Sequence, residues 1–142
     1  MTDNSFPPAF LDALLDTLLP GDGTLPRGGD VGVRIADAAA AHAGCVAAIA
    51  RDAGGPQAFV KAAADRRVAV VAAAEARDAA AFRAFLTPLL LDYYGADAVM
   101  EALGWRAGPP QPRGHALPPT DAATWRLLDA VRARGKRWRD AP

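Results

Sequence analysis

The sequence predicts an all-α fold: a single compact bundle of five to seven helices over residues 1–142, with a long Gly/Pro-rich loop before the last helix. Three observations carry that expectation. Apolar side chains recur at i, i+3 and i+4 along most of the chain, the period of a helix with one buried face. Gly, Pro and Asp fall between the periodic stretches, where helices start and stop. The one strand-like stretch, Val68, Val70 and Val71, has no partner strand and reads as helix.

Pro7 and Pro8 suit a first helical turn, where a missing N–H has no partner to lose. Phe10, Leu11, Leu14, Leu15, Leu18 and Leu19 follow at helical spacing, and PGDG at 20–23 ends the helix near residue 19. After a loop at 24–30, Asp30 is a candidate N-cap for one helix reaching Asp52, with Val31, Ile35, Ala38, His42, Cys45, Val46 and Ile49 as its stripe. Pro56 opens a third helix, with Phe59, Val60 and Ala63 inward, and residues 65–77 continue as helix. Asp78 can cap the next, whose stripe runs Phe82, Phe85, Leu86, Leu89, Leu90, Tyr93 and Tyr94. Pro88 inside it removes one hydrogen bond and should kink it. Gly95 ends that helix, a short one follows and stops at Gly104, and Asp121 caps a final helix with Trp125, Leu128 and Val131 inward.

Formal net charge is zero, which argues against a whole-molecule attraction to nucleic acid or anionic lipid. The distribution is uneven. Residues 1–103 hold 8 Lys/Arg and 13 Asp/Glu, whereas residues 104–142 hold 8 and 3, so an acidic body precedes a basic tail at about 132–142. The single cysteine, Cys45, excludes an intrachain disulfide. No apolar run reaches the ~18 residues of a membrane-spanning helix. The N-terminus has neither a basic region nor a twin arginine, so a cytoplasmic location is expected, or a periplasmic one if the chain is a processed or trimmed form.

No catalytic set is visible. His42 and Cys45 share a helix face, but a metal would need further ligands that the sequence does not supply, and the pair reads as core-edge. Ser5 is the one serine, so no serine triad can form. Asp12 and Asp16 lie opposite the apolar stripe of the first helix and read as solvated. Arg132, Arg134, Lys136, Arg137 and Arg139 flank Trp138, a pattern able to hold a phosphate backbone. Without an identifiable binding motif the reading is no nucleic-acid partner.

The remaining signal is residues 93–115. Tyr94, Trp105, Arg106, Gln111, Arg113 and His115 include the side-chain types enriched at protein interfaces. Prolines pre-order the loop that carries most of them, lowering the entropic cost of docking. Tyr93 lies on the apolar stripe and reads as core. Two other uses of the loop stay open: a pocket wall in a stand-alone small-ligand-binding protein or enzyme, with His115 as acid or base, and self-association.

Two stretches also carry a family resemblance. FLDALLDTLLPGDGTLPRGGDVGV at 10–33 and YYGADAVMEALGWRAGPPQPRGH at 93–115 resemble two landmarks of the gluconate 2-dehydrogenase small-subunit family (subunit 3, or gamma). The resemblance implies a non-catalytic accessory subunit that binds and stabilises a larger flavin-dependent dehydrogenase of the glucose–methanol–choline type. A cytochrome subunit is often added in that family. FAD and the catalytic histidine would then belong to the large chain, and this chain would bind no cofactor. Family members commonly carry a twin-arginine signal, and this sequence departs from that pattern.

Overall fold

The computed structural model describes residues 6–105, 114 and 119–135. Among them are eight helices and no strand, so the fold is all-α. They fall into two units, residues 1–107 and 108–142.

The first unit holds seven helices: α1 (Pro8–Leu18), α2 (Ile35–Ala41), α3 (Ala43–Asp52), α4 (Pro56–Lys61), α5 (Ala64–Arg77), α6 (Ala79–Gly95) and α7 (Asp97–Ala102). Its core is built where their apolar stripes meet. Phe10 of α1 lies edge-on to Phe59 of α4, ring centroids 5.3 Å apart. Val46 and Ile49 of α3 and Phe85 and Leu89 of α6 are buried in the same cluster. Buried alanines at 13, 38, 39, 50 and 74 leave room for helices to approach closely.

Several boundaries follow the sequence closely. Pro8 and Pro56 open α1 and α4. The Asp78 carboxylate accepts the Ala81 N–H at 3.0 Å and caps α6. The 65–77 stretch is helix throughout, with Val70, Val71 and Ala74 buried and Val68 exposed, whereas Ala63, expected inward on the third helix, is exposed. α6 runs through Pro88, and the Thr87 hydroxyl donates back to the Arg83 carbonyl at 2.7 Å.

The expected single helix from Asp30 to Asp52 is two helices, and it starts later. Residues 28–33 form turns, in which the Gly28 N–H donates to Leu19 and the Val33 N–H to Gly28. Helix therefore begins at Ile35, and Asp30 is not its cap. At His42 the backbone leaves helical geometry (φ −122°, ψ 39°). Its N–H closes α2 on Ala38, and its carbonyl accepts from Cys45 and Val46 to start α3. That extra break makes eight helices where seven at most were expected.

The second unit contains α8 (Ala122–Ala133). Asp121 caps it by accepting the Thr124 N–H at 2.7 Å. The Arg132 guanidinium lies over the Trp125 ring, 5.0 Å from its centroid. Trp125, Leu128 and Val131, expected inward, are exposed, and no other helix among the described residues of this unit covers them.

Candidate functional site

The surface around Tyr94 is built by a turn and two helix ends. After α1, Gly21 takes a positive φ of 69°, and a Cβ there would come within 2.9 Å of the Leu25 carbonyl. Asp22 then closes the turn, its carboxylate accepting the Thr24 and Leu25 N–H groups at 2.9 and 2.7 Å. Those bonds favour the charged form and hold its carboxyl below the ordinary range. Gly28 sits where a Cβ would lie 2.9 Å from Leu19 Cβ, so the turn folds tightly back onto α1.

Two long-range links fix this turn and its exit on α6. The buried Tyr93 hydroxyl donates to the Pro26 carbonyl at 2.7 Å. Burial raises the phenol above its ordinary pKa, and Tyr94 and Asp22 add to the effect. The Arg34 backbone N–H and guanidinium both reach Asp92, the latter at 3.1 Å from Nε and 2.9 Å from Nη2. This pairing lowers the Asp92 carboxyl and raises Arg34. The stretch 10–33 and the start of the stretch 93–115 are thus packed together.

With Tyr93 anchored inward at 4% exposure, its neighbour Tyr94 faces out at 51%. The two rings meet edge to face, 5.2 Å apart. One position before Asp92, Leu91 is 71% exposed. Trp105 is placed by a glycine-terminated helix end: Gly104 (φ 77°) bonds back to Glu101 and the Trp105 N–H to Met100 at 2.8 Å. Trp105 is 66% exposed, and Leu103 beside it is also out. Arg106, Gln111, Arg113 and His115 lie outside the described residues, as do Lys136, Arg137, Trp138 and Arg139.

Three open depressions adjoin on this face. The largest, about 680 Å³, lies between the 20–27 turn and Ala98 and Ala102 of α7. A second, about 210 Å³, shares Pro20, Gly21 and Leu25 with it and reaches Tyr94. A third, about 440 Å³, runs from Tyr94 to Thr87 and Leu91. Leu91, Ala98 and Ala102 are contributors that stripe reading passes over. Leu91 had a signal: of the three consecutive leucines 89–91, it is the one off the buried stripe.

Elsewhere, Cys45 borders an open cleft of about 330 Å³ with Arg51, Arg77 and Asp78. Arg77 is paired with Asp52. Burial, then the nearby Asp78 charge, push the thiol up, which keeps it protonated and a poor nucleophile. His42 is partly buried at the α2–α3 break. Among the described residues no cluster of His, Cys, Asp or Glu could hold a metal ion, and no helix is long and apolar enough to cross a membrane.

No protein-family model, no curated protein and no solved structure matches the chain.

Proposed function

We propose that the protein is a non-catalytic accessory subunit that binds and stabilises a larger flavin-dependent dehydrogenase of the glucose–methanol–choline type. The observation that carries this reading is the surface where the two resembling stretches meet. Beside that junction Leu91 and Tyr94 line one depression and are exposed, and after α7 Leu103 and Trp105 are exposed as well. Exposed apolar and aromatic side chains of this kind are what a protein interface uses as anchors. The depressions around Tyr94 are open troughs, which suits docking better than enclosure of a small substrate. FAD belongs, on this reading, to the partner, and a cytochrome subunit is a further candidate member of the complex.

The test is affinity purification of the tagged protein from its native cells. The expected result is a stoichiometric yellow complex with a flavin absorbance spectrum. The Trp105→Ala and Leu91→Asp variants should weaken that complex at least about tenfold, the scale of losing one interface anchor, with an unchanged circular dichroism spectrum. A colourless chain with no companion would refute the reading and turn attention to a stand-alone ligand-binding role.

A further inference from the structure

α8 carries an apolar face that no other helix among the described residues of its unit covers. Trp125, Leu127, Leu128 and Val131 recur at the three- and four-residue spacing that gathers side chains on one side of a helix. All four are exposed, Leu127 the most at 73%. Cations border this face on both margins. Arg132 follows Leu128 by one helical turn, and its guanidinium rests over the Trp125 ring, 5.0 Å from the centroid. Arg134 follows Val131 by one turn and lies at the other margin, beside Leu127. Arg126 is exposed on the polar side. Against these three the helix holds one carboxylate, Asp129, 3.6 Å from Arg132. From Asp121 onward the sequence has six Lys/Arg and three Asp, a net of +3, in contrast to the acidic stretch 1–103.

We infer that α8 lies on the surface of an anionic lipid bilayer, its apolar face at the acyl boundary and its arginines on headgroup phosphates. The surface of the accessory-subunit reading belongs to the first unit, so the two stand or fall separately. A helix with one apolar face and a cationic polar side binds in the plane of the interface, and acidic lipid strengthens the attachment. Arginines at both margins can extend their charged ends to the phosphates while their stems stay on apolar surface. The tryptophan under Arg132 suits the headgroup depth, where a ring is half apolar and half wet. At 12 residues α8 is too short to cross a bilayer, so the association is peripheral. The aliphatic side chains are spread along the helix, which fits a deformable apolar medium better than a groove built around one or two deep anchors. Because both margins are cationic, either orientation of a second copy would set arginines against arginines.

The test mixes the full chain with vesicles of phosphatidylcholine alone, or of phosphatidylcholine with phosphatidylserine, and measures bound protein by cosedimentation. Binding is expected to the mixed vesicles, and should weaken as salt rises. The double variant Arg132→Gln, Arg134→Gln should bind about ten- to thirtyfold more weakly, the scale of two cations at an anionic surface. Leu127→Gln with Val131→Gln should lose at least about tenfold through the lost apolar burial, with an unchanged circular dichroism spectrum because glutamine is a good helix former. Leu91→Asp, in the first unit, should bind as wild type does. Absence of binding to the mixed vesicles, equal binding to phosphatidylcholine alone, or undiminished binding by either double variant overturns the inference. A protein that copurifies and is lost with the α8 variants, without any vesicle binding, would overturn it in favour of an acidic protein groove.

Discussion

Replacing Tyr93 with Phe removes a single oxygen from the junction beneath the candidate surface. That hydroxyl is almost fully buried and donates over 2.7 Å to the Pro26 carbonyl, 67 residues away. A net hydrogen bond of this type contributes about 0.5–1.5 kcal/mol. Pro26 is only partly buried, so water can reach its carbonyl in the variant, and about 1 kcal/mol is the expected loss. For a unit near 100 residues that lowers Tm by roughly 4–8 °C. Urea and thermal unfolding followed by circular dichroism measure it, with Tyr94→Phe as the control expected to stay within about 0.5 kcal/mol. The phenol adds a signature in pH. Its folded pKa is raised above the ordinary 10.0, so its contribution is complete below that value and is lost as pH rises through the folded one. The alkaline fall in stability should therefore be shallower in Tyr93→Phe. Equal stability of the two variants at neutral pH, or identical alkaline limbs, would refute the assignment of this bond as the tie between turn and helix.

Gly28→Ala should destabilise by about 1–3 kcal/mol in urea unfolding, because the added methyl meets Leu19 Cβ at 2.9 Å and Leu15 Cδ1 at 3.1 Å in a packed site. Asp78→Ala should cost about 1 kcal/mol and Asp78→Asn much less, since asparagine caps as well as aspartate; equal losses would mean that charge rather than capping matters there. Asp92 is held below its ordinary 3.8, first by the hydrogen bond from Arg34, so its contribution is present above that pH and lost as pH falls through the folded value. Wild type should accordingly lose its advantage over Asp92→Asn on acidification, as read from denaturation curves taken at stepwise lower pH.

Much of the fold was legible because it depends on short-range rules. The α6 stripe Phe82, Phe85, Leu89 and Tyr93 is buried as its spacing requires, and Asp78 and Asp121 cap the helices that they precede. The break at His42 was not legible. It lies in AAAAHAGC, a run with strong helix formers and no proline, where the His42 backbone leaves helical geometry between two helices that both pack into the core. The late start of α2 has a related cause: Gly28 takes its place by packing against Leu19, a contact between residues that sequence spacing cannot pair. On the candidate face, the spacing placed both Tyr93 and Tyr94 on the stripe, and only Tyr93 is buried. The Arg34–Asp92 clamp and the Ala98–Ala102 wall of the largest depression were not legible, because each needs two distant segments to be adjacent first. The apolar stripe of α8 shows the limit of the same rule: periodicity says which side chains share a face, and not what covers it.

The ties from Arg34 to Asp92 and from Tyr93 to Pro26 have a kinetic meaning as well. They close loops of 58 and 67 residues, and each closure costs chain entropy before its contacts form. The turn at 20–27 is therefore expected to consolidate late in folding, after α6 exists to receive it, and to open early on unfolding. A protein that docked on this face would bind the closed form alone. Mass action would then shift the chain toward its folded state in proportion to the partner's concentration. Stabilisation between the two would run in both directions: a subunit that supports a larger protein would itself be longest-lived when that protein is present.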